Sequence, residues 1–286
     1  MANENISSDF YVTVLGSGAA IPTLSRHCSA QVVNIHGFRI LIDCGEGTQN
    51  QLRAYHQRML SISLICISHL HGDHFFGLPG LLSTMHMCGR TQPVEIIGPR
   101  GIADAVDTIQ QLSGGHTEYP ITYHELDIAD CTDAPKTVFE NKRCHISAIA
   151  LRHSLDTFGY IIEEEPHGSR PPRRYAYCSD TGYFDELPNL VSGVNLLCIE
   201  STYANDYASI ATEKGHCTAA MAATVAQKAN VKHLLLTHFS ARYKDITPLM
   251  EQATAIFPNT KSAEDGHRYG IDHWTEKKKP TPAPTE

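Results

Sequence analysis

The sequence predicts a layered α/β domain, and three observations predict it. Short apolar, β-rich runs alternate with helix-patterned stretches along most of the chain, the order expected of a sheet covered by helices. Most of the runs are near-continuous in hydrophobicity rather than alternating, as strands are when helices cover both faces. Four of them end in residues able to hold a metal, and in open α/β sheets functional groups gather beyond the carboxyl ends of the strands.

In chain order the expected strands are FYVTVLG from Phe10, SAQVVNI from Ser29, FRILIDCG from Phe38, SLICISH from Ser63, VEIIGP from Val94, ISAIALRH from Ile146, RYAYCSD from Arg174, NLLCIES from Asn195 and HLLLTH from His233. The expected helices are EGTQNQLRAYHQ from Glu46, FFGLPGLLSTMHMCG from Phe75, GIADAVDTIQQL from Gly101, TAAMAATVAQKA from Thr218 and DITPLMEQATAIF from Asp245. No internal repeat interrupts this order. One domain over residues 1–275 accounts for the pattern, and EKKKPTPAPTE, residues 276–286, reads as a flexible solvated tail.

Composition narrows the class. Hydrophobic residues make up 42% and charged residues 19%, an ordinary globular balance. No signal peptide is evident at the N-terminus and no apolar run approaches a membrane span, so the expectation is a cytoplasmic protein with no membrane partner. None of the nine cysteines sits in a CxxC pair, and Cys44, Cys66, Cys178 and Cys198 lie inside apolar runs as reduced, buried thiols would. A net charge of −8 does not advertise a polyanion binder, although bound metal and local basic patches can invert the field where it matters. Of the seventeen histidines, His36, His56, His86, His124 and His273 have no patterned company and read as surface or satisfied side chains.

The chemistry concentrates in HLHGDH, residues 69–74. Alternate residues of an extended segment point the same way, so His69 and His71 can reach one metal, while Asp73 and His74 follow as the chain turns into a helix and can face a second ion. Imidazole with carboxylate suits Zn²⁺, with Mn²⁺ or Fe²⁺ as alternatives. The other strands ending in ligand types are AIALRH, YAYCSD and LLLTH.

HLHGDH matches the HxHxDH signature, and the chain resembles the metallo-β-lactamase superfamily. That resemblance implies a four-layer αββα sandwich, with His153 completing the first metal site, His238 the second, and Asp180 bridging two Zn²⁺ ions. Two such ions can hold a hydroxide and clamp a phosphodiester or a carbonyl, which makes hydrolysis the reaction class. An ordered series narrows the family: after two short strands come FRILIDCGEGTQNQL, ISHLHGDHFFGLPGLL, RHSLDTFGY, YAYCSDT, IESTY, GHCTA and THFSARY, and the resemblance takes in nearly the whole chain, from about Phe10 to about Tyr269. Together they are similar to the short form of tRNase Z, which trims the 3′ extension of precursor tRNA and acts as a homodimer. By that resemblance IESTY supplies Glu200 and GHCTA supplies His216. A carboxylate holding one imidazole nitrogen fixes the tautomer and supports the protonated form. His216 could then protonate the departing 3′ oxygen while metal hydroxide attacks phosphorus, with Asp73 orienting the nucleophile or taking its proton. Arg242 could hold a substrate phosphate, although an intramolecular ion pair would engage it equally well.

The chain departs from the family at two places. The N-terminal PxKxRN loop, tied to reading the tRNA 3′ end, is here Pro22-Thr23-Leu24-Ser25-Arg26-His27. Between GYIIEEE and RRYAYCSD, where relatives insert a long arm that grips the tRNA elbow, there is only PHGSRPP, which reads as a plain surface turn beside Arg170, Arg173 and Arg174. The expected function is therefore a zinc-dependent endoribonuclease acting on precursor tRNA. A dinuclear phosphodiesterase for small or cyclic phosphodiesters is the alternative that the missing arm favours.

Overall fold

The computed structural model describes residues 9–166 and 169–272. The expected tail at 276–286 and His273 lie outside the described residues. The coordinates divide into two compact units: residues 9–126 with Glu264–Gly270, and Asp127–Ala263 with residues 271 and 272.

The first unit is built on a seven-stranded mixed sheet. Its strands are β1 (Phe10–Gly16), β3 (Ala30–Ile35), β4 (Phe38–Ile42), β5 (Ile62–Cys66), β6 (Val94–Pro99), β7 (Ile121–Leu126) and β16 (Arg268–Gly270), in the spatial order β16-β1-β3-β4-β5-β6-β7. β2 (Gly18–Ala19) is a two-residue strand outside it. The steps from β4 to β7 are parallel and the rest antiparallel. Its helices are α1 (Thr48–Ala54), α2 (Gly72–Phe75), α3 (Leu78–Met87) and α4 (Ile102–Leu112). In α3, Pro79 sits in the first turn, where its fixed φ suits a helix start, and Leu78, Leu81, Leu82 and Met85 form one buried face. That face joins Leu41, Ile65, Ile96 and Val106 in a single core.

The second unit carries another seven-stranded mixed sheet, in the order β15-β13-β12-β11-β10-β9-β8. These strands are β8 (Lys136–Glu140), β9 (Cys144–Leu151), β10 (Thr157–Glu164), β11 (Arg174–Cys178), β12 (Leu196–Glu200), β13 (His233–Thr237) and β15 (Thr260–Ser262), and β14 (Phe239–Ser240) stands apart. β11, β12, β13 and β15 run parallel. Helices α5 (Leu187–Leu190), α6 (Ala208–Glu213), α7 (Ala219–Lys228) and α8 (Thr247–Thr254) complete the unit. The Thr218 hydroxyl caps α7 by accepting the Met221 N–H at 3.2 Å. The buried face of α7 is almost all alanine, so the helix backbone can approach the sheet closely.

All nine expected strands and all five expected helices are present; β1 and β6 have the expected bounds and the others are shifted by a few residues at their ends. The strands that the sequence pattern hid were mostly edges. β7 and β8 bound their sheets and are mostly exposed or half-buried, and β15 and β16 have three residues each. β10 lies inside its sheet, but its TFGYIIEE follows directly on RHSLD, with no turn signal to mark its start. All nine cysteines are free, and the four in apolar runs are fully buried. His86 accepts the Glu118 N–H and His124 pairs with Glu95, as expected of satisfied side chains. Among the described residues no helix is long and apolar enough to cross a membrane.

The β10–β11 connection is closed by charge. Glu164, the last residue of β10, is buried and accepts the Arg173 backbone N–H at 2.9 Å and two guanidinium N–H groups at 2.8 Å each. Arg170 adds an ion pair to Glu164 at 2.8 Å, and Asp272 lies 3.6 Å from the Arg173 guanidinium. Arg173 and Arg170 are thus engaged with acids, which a plain surface turn would not require. Burial alone would push the Glu164 carboxyl up, but the bonds from Arg173 and Arg170 prevail and hold it at about 2. A carboxyl held below its unfolded value stabilises the fold above that value and loses this contribution as pH falls. Urea unfolding of the wild type should therefore show stability falling between pH 4.5 and about 2, and Glu164→Gln should flatten the curve in that window.

Candidate metal centre

In the first unit the ligand types follow β5. Beyond Cys66 the chain runs through Ser68 and His69 to His71 and then turns into α2, which carries Asp73 and His74. Two close approaches shape this turn. A Cβ at Gly45 would stand 2.2 Å from the Asp73 carbonyl oxygen, and one at Gly77 would stand 2.1 Å from the Gly45 carbonyl oxygen, so only glycine lets these segments pack at that distance. Ring atoms converge as a result: His69 Nε2 lies 3.0 Å from His71 Nδ1, and His74 Nε2 lies 3.3 Å from Asp73 Oδ2. Ligand atoms on one zinc, with bonds of about 2.0–2.1 Å, stand at comparable separations. The same Asp73 oxygen accepts the Ala20 N–H at 2.7 Å.

Behind these ligands sits a residue that sequence reasoning missed. Asp43, fully buried and at φ 56°, accepts the Ser68 backbone N–H at 2.7 Å and the Ser68 hydroxyl at 3.0 Å. It also takes His74 Nδ1–H at 2.7 Å. The Ser68 oxygen in turn lies 3.0 Å from His69 Nδ1. One carboxylate therefore sets the ring orientation of two histidines, one directly and one through a hydroxyl, and turns both Nε2 atoms the other way. The left-handed backbone at Asp43, which a non-glycine residue adopts at a cost of about 1–3 kcal/mol, shows how strongly the surroundings fix it.

The second unit repeats the scheme at the ends of β11, β12 and β13. Glu200, fully buried, takes His216 Nδ1–H at 2.7 Å and the Thr202 hydroxyl at 2.6 Å. Thr202 Oγ1 lies 3.0 Å from His238 Nδ1. The backbone N–H of Thr181 also bonds Glu200, at 2.8 Å. Asp180 offers one oxygen to each of two histidines: Oδ2 is 3.7 Å from His153 Nε2, and Oδ1 is 3.2 Å from His238 Nε2. That is the posture of a bridging carboxylate. His153 Nδ1–H bonds the Gly215 carbonyl at 2.9 Å, which again directs Nε2 toward Asp180. Asp180, His216 and His238 have ligand atoms within 4.8 Å of one another. His238 at φ 59°, like Asp43, is a non-glycine residue held in the left-handed region.

The chain matches the β-lactamase superfamily domain over residues 38–239. Ribonuclease Z of Bacteroides fragilis is 35% identical over 299 aligned residues, which take in 90% of this chain and 97% of that protein. The chain belongs to the ribonuclease Z family. Ribonuclease Z of Bacteroides thetaiotaomicron is 34% identical, with 93% of this chain and 97% of that protein covered. The crystal structure of human tRNase Z, short form, has a TM-score of 0.79 at 34% identity, covering 91% of this chain and 99% of that one. The two mixed sheets with their helices are the metallo-β-lactamase fold that the sequence implied.

For a ribonuclease Z family member the donor set fits divalent metal: imidazoles with assigned tautomers, carboxylate oxygens beside them, and no thiolate. Within each unit, the expected ligands and the Glu200–His216 pair come together. Glu200 is fully buried and its carboxylate stands 2.7 Å from His216 Nδ1, the contact through which it was expected to hold that imidazole. Arg242 is exposed and stacks on two rings, its guanidinium carbon 5.1 Å from the Tyr203 centroid and 4.4 Å from that of Tyr207. Asp43, Ser68 and Thr202 could have been suspected, since Asp43 ends an apolar run as the other ligands do and both hydroxyls sit within two residues of a ligand or its support.

Asp43→Ala should weaken metal retention ten- to a hundred-fold, measured by chelator competition, because it releases His74 and His69 together. Thr202→Val, which leaves Asp43 untouched, should cost less.

Proposed function

We propose that this protein removes the 3′ trailer from precursor tRNA by hydrolysing one phosphodiester, using two divalent metal ions, zinc foremost. The observation that carries the reading is full-length similarity to ribonuclease Z proteins at 34–35% identity, and the Glu200–His216 pair fits it. His69, His71 and His153 would hold one ion, Asp73, His74 and His238 the other, and Asp180 both. When bound, the ions supply Lewis acidity at the phosphate and a water activated for attack.

The chain's own residues supply the rest. His216, its Nδ1–H held by Glu200 at 2.7 Å, presents Nε2 as the donor that protonates the departing 3′ oxygen as the P–O bond breaks. Asp73, with Oδ2 tethered by the Ala20 N–H, orients the water or takes its proton. Arg242, supported on Tyr203 and Tyr207, offers its guanidinium edge to a neighbouring phosphate. A homodimer in the cytoplasm completes the reading, and free, mostly buried cysteines support that compartment.

A second reading keeps the chemistry and changes the substrate to a small or cyclic phosphodiester. It is favoured by the short β10–β11 connection, whose arginines pair with Glu163, Glu164 and Asp272. The alignment points the same way: 299 positions take in only 90% of this 286-residue chain, so the B. fragilis protein carries about forty residues that this one does not.

Zinc-loaded protein given a 3′-extended precursor tRNA should make one cut at the trailer junction, and His71→Ala should make none. Turnover of a small chromogenic diester alone would decide for the second reading. His216→Ala should lower kcat on precursor tRNA by about 10²–10⁴ and spare a diester whose nitrophenolate leaves without a proton.

A further inference from the structure

Phe75 and Phe76 follow the HLHGDH motif as a pair with opposite fates. Phe75 is 4% exposed and belongs to the core of the first unit, whereas Phe76 is 68% exposed. The Phe76 ring nevertheless packs on the motif. A Cβ built on Gly72 would meet ring carbons Cε2 at 2.4 Å and Cδ2 at 2.6 Å, so the ring lies directly against the backbone between His71 and Asp73. The glycine of the motif is what makes room for it. The Ala20 N–H that bonds the Asp73 carboxylate belongs to a loop whose Ile21 and Leu24 are 64% and 106% exposed. Single exposed apolar side chains are ordinary on protein surfaces. These three instead belong to the two segments that meet at Asp73, and one of them is packed onto the motif itself.

We propose that Phe76 is the platform on which a nucleobase adjoining the cleaved phosphodiester stacks, an assignment that rests on the nuclease reading above. A phosphate placed among the ligands around Asp73 carries a nucleoside on either side. An exposed phenyl face seated against the Gly72 backbone, one residue before Asp73, is suited to one of the two bases. Stacking on an aromatic ring tolerates any base, since each has a π-face. That tolerance suits an enzyme that must cut many precursors whose junction sequences differ, where hydrogen-bond readout would restrict it.

The test is steady-state cleavage by the zinc-loaded full chain, comparing wild type with Phe76→Ala, Phe76→Leu and Phe76→Trp. Precursor tRNAs would be normal or abasic at one of the two nucleotides flanking the cut. Phe76→Ala should raise KM about ten-fold, Phe76→Trp should hold it near wild type, and Phe76→Leu should fall between. All should retain their metal content. One of the two abasic substrates should impose the same penalty on wild type and no further penalty on Phe76→Ala. Unchanged KM in Phe76→Ala, or additive penalties for variant and abasic substrate, would overturn the assignment while leaving the nuclease reading intact. A shift of Phe76→Ala to a smaller species in sedimentation would also overturn it, by giving the ring to contact between copies. Absence of any cut by the wild type would refute the nuclease reading itself, and the stacking role with it.

Discussion

A carboxylate shut away from water must have its oxygens occupied, or the fold bears the full cost of desolvation. Asp43 and Glu200 are both at zero exposure, and each meets the requirement in the same way. Each takes a backbone N–H, a hydroxyl and an imidazole N–H, and the hydroxyl passes the constraint on to a second imidazole. Four histidine rings are thereby oriented by two acids that are themselves shut away from solvent. Ligand geometry in this chain follows from satisfying those two anions. The strained backbone at Asp43 and His238 is tolerated because these bonds over-determine it.

The fold contributes by where its parallel strands stop. β5, β11, β12 and β13 end within three residues of His69, Asp180, Glu200 and His238 respectively, so residues far apart in sequence inherit their positions from strand register. Glycines then allow the last adjustments. At Gly45, Gly72 and Gly77 the neighbouring chain or ring comes closer than any side chain would permit. This is why the motif region is rich in glycine although only Gly47 among those nearby takes a positive φ.

Much of this was legible in the sequence, for identifiable reasons. Strands buried on both faces announce themselves as apolar runs, and ligands at their ends stand out against that background, as His69, Asp180 and His238 do. Edge strands such as β7 and β8 have a solvated side and lose the signal. The supporting Asp43, Ser68 and Thr202 were hidden because a single Asp, Ser or Thr after a strand is common and its partner is set only by three-dimensional contact. The fate of the arginines around 170–174 was invisible for the same reason: whether a guanidinium meets an acid or the solvent depends on Glu164 and Asp272, nine and a hundred residues or so away. That Arg242 rests on two tyrosine rings is likewise a matter of packing, which the sequence does not display.

The ionic closure at the root of β10 and β11 separates the sheet from whatever lies beyond it. The register runs up to Glu163 opposite Arg174, and the Glu164–Arg173 bonds sit one residue further out. Chain added between Glu165 and Pro172 would therefore emerge from a junction already locked by its own charges. A binding module grafted there from a longer relative, or an unrelated one, has an attachment point that asks nothing of its internal structure. The hairpin root acts as a socket, through which a catalytic core could gain or shed a substrate-gripping appendage without renegotiating its own stability.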